Sequence, residues 1–178
     1  MKDLITIGLP SKGRLKERSI SFFNDNELKI IQSEKERNYF GTIENKPNVK
    51  IIFLHAKEII QRLGDGTLDI GISGLDLFKE SDISLQSKIN IQNKLDYGNA
   101  NLVIAVPDDW IDVQTIADLE EISFDIRLKR NTRLRVATKY PNLTNDFLIS
   151  RGVTQYKLIP SLGATETYPF IGSSEIIT

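Results

Sequence analysis

The sequence predicts an α/β fold built as two lobes, with mixed sheets flanked by helices. Three observations carry that expectation. Apolar runs of strand length alternate with helix-period segments through both halves of the chain. Strands close in short turns of small, hydroxylated or cationic residues that open the next helix, as at Pro10-Ser11-Lys12-Gly13-Arg14 and Ile72-Ser73-Gly74. The pattern then crosses over near Leu95 to Asn101 and starts again, which places a first lobe at 1–96 and a second at 97–178.

The elements follow in order. Leu4 to Pro10 is an apolar strand, and a helix starts near Arg14, with Leu15, Ser19, Phe22 and Phe23 as its inward stripe and Asn24-Asp25-Asn26 as its stop. Leu28 to Gln32 reads as a strand and Ser33 to Thr42 as a polar hairpin or loop. Val49 to Leu54 is a buried strand, Ala56 to Leu63 a helix, and Gly64-Asp65-Gly66 a turn. Leu68 to Ser73 reads as a buried strand and Gly74 to Glu80 as a short helix, which favours a largely parallel sheet. Ile83 to Leu95 is expected to be a strand-rich crossover and Asn101 to Val106 a central strand. The second lobe continues with a helix over Val113 to Leu119, a strand over Leu134 to Thr138, a helix over Asn142 to Arg151 and a strand over Tyr156 to Pro160. A short helix over Thr165 to Ile171 contains Pro169, and Glu175-Ile176-Ile177 begins a last strand. Asp125 to Arg135, rich in Arg and Lys, reads as a solvated loop, with anion binding as the sharper alternative.

Composition narrows the chemistry. A formal net charge of -1 gives no global field for nucleic acid or an anionic membrane, so any anion site must be local. With no cysteine there are no disulfides, thiolate metal sites or thiol nucleophiles, and the single histidine, His55, cannot build a multi-histidine metal site. No stretch approaches roughly 18 uninterrupted apolar residues, and the N-terminus shows no signal-peptide pattern, so a cytoplasmic protein without a membrane span is expected.

Four strand-to-helix turns could carry chemistry. At Pro10 to Arg14, backbone N–H groups, the compact charge of Lys12, the forked guanidinium of Arg14 and the permissive Gly13 suit a phosphate; the Walker spacing is absent, and a plain surface turn is the competing reading. At Asp69 to Asp76, Ser73 and the Gly74 N–H could hold phosphate or ribose, and Asp69 or Asp76 could accept from a sugar hydroxyl or an adenine amino group, against the plainer reading of a capped turn. Thr138-Lys139-Tyr140-Pro141-Asn142-Leu143-Thr144, against the plainer reading of a capped helix with one exposed Lys, and Leu162-Gly163-Ala164-Thr165-Glu166 are the third and fourth. Four turns of one chemical style converging on a polyanion say more than any one of them.

Taken together these segments resemble the catalytic core of the ATP phosphoribosyltransferase family. The match runs from Leu9-Pro10-Ser11-Lys12-Gly13-Arg14-Leu15 through Arg37 and Ala56-Lys57-Glu58-Ile59 to Gly66 to Asp76 and Leu102 to Pro107. Its most specific stretch is Arg135 to Thr144, and Glu166, Gly172, Ser174 and Ile177 fit the opening of the family signature.

The resemblance implies two lobes like a type II periplasmic binding protein with the site in the cleft. It also implies a reaction in which N1 of ATP attacks the ribose C1 of phosphoribosyl pyrophosphate (PRPP), releasing pyrophosphate with its Mg2+. Carried over residue by residue, it implies Arg14, Arg37 and Lys12 as the catalytic cations. Gly13, Asp69, Ser73, Gly74, Asp76, Thr138, Lys139, Tyr140 and Glu166 become substrate-binding residues, with no protein-held metal site. It further implies histidine as a feedback inhibitor and a homo-oligomer. The Ser-Lys-Gly-Arg motif leans towards the short form, which pairs with a subunit resembling histidyl-tRNA synthetase. A non-catalytic binding or regulatory relative is the alternative.

There are departures. His55 stands where many relatives have Arg, and Tyr168 and Phe170 are bulkier than the usual aliphatics. The Asp-x-x-Ser/Thr-Gly-x-Thr stretch that cradles the 5′-phosphate is expected just after Thr178, so the chain reads as C-terminally truncated and inactive or weakly active by itself.

Overall fold

The protein is described from a computed structural model, which covers residues 4–32 and 39–178. The chain divides into two compact units, Met1–Asn99 and Ala100–Thr178.

The first unit is a five-stranded sheet in the order β2-β3-β4-β1-β5. The strands are β1 (Ile5–Pro10), β2 (Ile30–Gln32), β3 (Phe40–Ile43), β4 (Lys46–Leu54) and β5 (Ile70–Gly71). β1 runs parallel to both β4 and β5, whereas β3 is antiparallel to β2 and β4, so the sheet is mixed rather than largely parallel. The reason is local. Part of the segment read as a polar hairpin or loop is strand β3, antiparallel to β2 as the hairpin reading expects, and it returns through a tight turn at Asn45, whose φ of 60° is tolerated better by Asn than by most residues.

The helices α1 (Gly13–Asp25) and α2 (Ala56–Gly64) take opposite faces of this sheet. Ile7, Leu9, Val49, Ile51 and Phe53 alternate along β1 and β4 and pack with Phe23 of α1. The intervening residues point the other way: a Cβ on Gly8 would lie 2.4 Å from Leu68 Cδ1 and 3.3 Å from Ile59 Cγ2 of α2. Ser19 and Phe23 are buried as their spacing suggests, but Phe22 is exposed: neighbours in a helix point about 100° apart and cannot both face the sheet. The expected buried strand over Leu68 to Ser73 shrinks to β5; Leu68 is buried, and Ile70 lies exposed at the sheet edge. α3 (Leu75–Glu80) and the single turn α4 (Ile83–Gln86) follow. The crossover expected to be strand-rich is therefore helical at its start, with no regular structure over 89–95. The end of the unit returns to α1, where the Tyr97 hydroxyl lies 3.3 Å from Ser19 Oγ.

The second unit is a three-stranded parallel sheet, β7-β6-β8, made of β6 (Leu134–Thr138), β7 (Tyr156–Pro160) and β8 (Ile176–Ile177). Its core joins Leu119 and Ile126 of α5 (Ile116–Arg130) to Leu134, Val136, Leu148 and Ile176. Three expectations change here. The helix placed at Val113 to Leu119 runs on through the segment read as a solvated loop. A capping box between Thr115 and Asp118 starts α5, Leu119, Ser123 and Ile126 bury one face, and Asn131 in the left-handed region ends it. Asn101 to Val106 is not a strand: one antiparallel bridge, Ala105 to Ile177, is its pairing, and Val103 is 63% exposed. The helix over Thr165 to Ile171 is a single 3-10 turn, Thr165–Thr167, since the backbone before Pro169 disfavours helix. α6 (Pro141–Ser150) carries proline in its first turn, where the missing N–H costs nothing. Among the described residues no helix is long and apolar enough to cross a membrane.

Candidate functional site

In the first unit the parallel strands β1, β4 and β5 deliver three loops to one edge of the sheet. Pro10 lies opposite Leu54 and Gly8 opposite Gly71, so the turns after Pro10, Leu54 and Gly71 emerge side by side. They are stitched together: the Ser11 N–H donates to the Leu54 carbonyl at 2.8 Å, Ile72 N–H to the Gly8 carbonyl at 3.0 Å, and Ser73 Oγ–H to the Ala56 carbonyl at 2.7 Å. The helices that follow β1 and β4 leave to opposite faces, which makes the gap between those strand ends a topological switch point, the place where open α/β sheets hold ligands.

The turn at this point is cationic. Lys12 is the extended N-cap residue of α1, without a side-chain capping bond, and the first turn of α1 contains no acidic residue. Gly13 has φ 71°, a conformation that a side chain would strain. Lys12 and Arg14 are exposed and neither joins an ion pair among the described residues. Two cations beside the positive end of a helix dipole repel it, by about 0.3–1 kcal/mol each. An anion at the same place reverses the sign of every one of those interactions. Lys16 sits one turn on, its Nζ 5.0 Å from the Phe53 ring centroid.

Ser73, Gly74 and Asp76 reach the same edge. Gly74 caps α3, Asp76 lies in its first turn, and Asp76 Oδ1 folds back to within 2.2 Å of where a Gly74 Cβ would stand. Asp69 does not reach it. Its carboxylate accepts from the Thr6 N–H and from Thr6 Oγ1, both at 2.8 Å, near the amino-terminal end of β1. That is four residues before the strand ends, about 13 Å away at strand rise. Asp69 therefore anchors β5 to β1. Arg37 lies outside the described residues.

The second unit assembles its own polar edge. β6 ends in Thr138, whose buried Oγ1 accepts from the Tyr140 N–H at 2.9 Å and lies 3.0 Å from Thr144 Oγ1. Thr178 Oγ1–H donates to Thr138 Oγ1 at 2.5 Å, closing a triangle of hydroxyls. The sequence marks the stretch from Thr138 to Thr144 without giving Thr144 a role, and passes over Thr178; the signal, a second hydroxyl six residues on and a third at the end of the neighbouring strand, becomes meaningful only with the strand pairing. Lys139 is exposed beside this cluster, and Glu166 is exposed on the 3-10 turn after the Ser161–Thr165 hydroxyl pair.

Three cations of the basic stretch before β6 have structural partners. Lys129 pairs with Asp125 at 2.5 Å, Arg127 donates to the Asn131 carbonyl at 3.2 Å, and both complement the carboxyl end of α5. Arg135 donates to both oxygens of Glu175 and to the Gly172 carbonyl, locking β8 to β6. Burial works to raise the Glu175 carboxyl, but the hydrogen bonds and charge of Arg135 outweigh it and hold the group below the usual range. The described residues contain no group of three His, Cys, Asp or Glu side chains placed to hold a metal ion.

Comparison with known proteins gives the family and the fold. The family model HisG, ATP phosphoribosyltransferase, matches residues 55–178. The ATP phosphoribosyltransferase of Nitrobacter winogradskyi is 42% identical over 177 residues, which is 99% of this chain and 54% of that protein. The one of Brucella melitensis is 40% identical over 174 residues, 97% of this chain and 75% of that protein. Among solved structures, the ATP phosphoribosyl transferase (HisG:HisZ) complex of Thermotoga maritima superposes with a TM-score of 0.67 at 24% identity, covering 98% of this chain and 71% of that chain, which speaks to the fold. The chain spans about half the length of the Nitrobacter relative.

Proposed function

The chain belongs to the ATP phosphoribosyltransferase family, and we propose that it supplies the nucleotide and leaving-group side of that family's reaction. In this reaction N1 of the ATP adenine forms a bond to C1 of the PRPP ribose, and the C1–O bond breaks with its electron pair leaving on pyrophosphate, the first step of histidine biosynthesis. One observation carries the reading: Lys12 and Arg14 stand, without counter-charges among the described residues, at the switch point between β1 and β4.

The chemistry suits these residues. N1 is neutral and weakly nucleophilic, so a general base gains little. Charge instead spreads over an oxocarbenium-like sugar and accumulates on pyrophosphate, and the barrier falls by positioning and electrostatic stabilisation. Lys12 and Arg14 are the groups for that task, with Arg37 as the third cation. Gly13 admits the phosphate to the backbone, and Ser73, Gly74 and Asp76 take the nucleotide side. Thr138, Lys139, Tyr140 and Glu166 are the substrate-binding residues of the second unit. Mg2+ belongs to this scheme as the counter-ion carried by pyrophosphate, part of the substrate rather than a resident of the protein.

The same reading takes the two units as lobes of the type II periplasmic-binding-protein kind, working in the cytoplasm and subject to inhibition by histidine. The Ser-Lys-Gly-Arg motif supports the short form. The Thermotoga neighbour, a HisG:HisZ complex, supports an oligomer with a HisZ-like partner, which this reading takes as the histidyl-tRNA-synthetase-like subunit beside a homo-oligomer of the chain itself. Calorimetric titration with ATP and, separately, with PRPP tests the core of it. Saturable ATP binding is expected. Binding of neither ligand would overturn the reading in favour of a non-catalytic relative.

A further inference from the structure

We propose that the outward face of α5 is a self-association surface, on which a second copy of this chain docks its own α5 antiparallel across a two-fold axis near Phe124. The inference is independent of the catalytic reading and gives a place to the homo-oligomer which that reading includes.

α5 is apolar on two sides. Leu119, Ser123 and Ile126 are buried towards the core of the second unit, and Ile116 and Ile122 pack against the same core. Ala117, Phe124 and Leu128 lie at i, i+7 and i+11, one stripe on the exposed side of the helix. Phe124 is 43% exposed and Leu128 79% exposed. A single exposed apolar side chain is ordinary, but a helix that is apolar on both sides is one that gets covered on both. Among the described residues nothing covers this stripe.

Charge identifies the occupant. Glu120 and Glu121 precede Phe124, and Arg127, Lys129 and Arg130 follow it. Neither Glu120 nor Glu121 joins an ion pair among the described residues, and Arg127 donates to a neutral carbonyl, that of Asn131. Lys129 is paired with Asp125 of its own helix. The 15 residues of α5, about 22 Å end to end, therefore carry a negative half and a positive half around an apolar middle. The complementary face is the same helix reversed. A two-fold axis perpendicular to both helices reverses each along its length and keeps each flank on its own side. Glu120 and Arg127, seven residues apart, share one flank and stand on either side of Phe124. With the axis at Phe124, Glu120 of each copy is offset by about 1.5 Å along the helix from the partner's Arg127, and on the other flank Glu121 is offset by about 3 Å from the partner's Lys129. Phe124 meets the partner's Phe124 between these pairs. A parallel pairing would instead set acid against acid and base against base. One helix face is small for a specific interface, so the dimer is weak, with a Kd of about 10–100 µM.

Sedimentation velocity on the full chain, from about 1 to 200 µM at low salt, reads the association directly. The wild-type mass is expected to double across that range, and added salt to push the doubling to higher concentration. Phe124→Ser combined with Leu128→Ser is expected to weaken association about tenfold or more with an unchanged circular dichroism spectrum, since both side chains are exposed. Charge reversal tests the pairing itself. Glu120→Lys with Glu121→Lys leaves both halves positive, and Arg127→Glu with Lys129→Glu leaves both negative. Each variant alone is expected to stay monomeric. Their equimolar mixture is expected to form a heterodimer within about threefold of wild-type affinity, because every negative half again meets a positive one. That recovery also shows that both variants fold. A wild-type chain that stays monomeric at every concentration would overturn the surface and the homo-oligomer together. A wild-type dimer that all of these variants leave intact would overturn the surface alone and move the homo-oligomer to another face. Monomeric variants that do not recover on mixing would contradict the antiparallel pairing.

Discussion

Lys12 and Arg14 are legible in the sequence because their role follows from local order: a strand, a glycine-bearing turn and a helix place them at a helix start whatever the rest of the fold does. If they hold polyphosphate, Arg14→Ala weakens ATP binding about tenfold, roughly 1.4 kcal/mol, and leaves the thermal midpoint equal to wild type or slightly higher, since the side chain is exposed, unpaired among the described residues and set against the α1 dipole. Calorimetry and a melting curve on the same sample check both halves. Asp69 shows the limit of such reading. It sits in a motif whose neighbours do reach the edge, yet the strand register turns its carboxylate to Thr6. Asp69→Ala is therefore expected to cost about 1–3 kcal/mol of stability by urea denaturation while ATP affinity stays within about twofold. A large loss of affinity with normal stability would return Asp69 to the ligand.

Among the elements, strands with a clear apolar run and a full ladder are readable, and those that lack one or the other are not. β1, β4, β6 and β7 carry apolar runs, and each falls close to where periodicity puts it. Asn101 to Val106 has an equally good apolar run, but a strand needs a ladder, and the pairing found is the bridge from Ala105 to Ile177. The charge in Asp125 to Arg130 hides a helix. Its signals were a capping box at one end, cations complementing the dipole at the other, and Leu119, Ser123 and Ile126 at helical spacing between them.

Strand β8 gains one ion pair, Arg135–Glu175, beside its backbone pairing with β6 and the buried Ile176. Because the Glu175 carboxyl is held below its ordinary range in the folded state, its stabilisation is complete above the ordinary carboxylate pH of about 4–5 and disappears as pH falls through the lowered value. Glu175→Gln is expected to lose about 1–2 kcal/mol at pH 7, with the gap to wild type closing as the buffer is acidified below about pH 4. A gap independent of pH, measured by denaturant titration across that range, would show that the pair contributes by packing alone.

For the whole molecule, each unit has a core of its own and a polar edge at the carboxyl ends of its parallel strands. The α/β class and its mixed sheets were expected from the sequence; what strand–helix alternation alone did not place is the antiparallel strand β3, inside a segment read as a polar hairpin or loop. Family membership is firm at 42% identity over 99% of the chain. The claim that most needs measurement is that the edge after β1, β4 and β5 is where polyphosphate binds. Backbone amide shifts in a nitrogen-15 spectrum of the full chain, followed as ATP is added, report this residue by residue. The largest shifts are expected at Ser11 to Leu15, His55 to Lys57 and Ser73 to Asp76, with the Thr6 and Asp69 amides little moved. Saturating shifts centred elsewhere, or none at any ATP concentration, would contradict it.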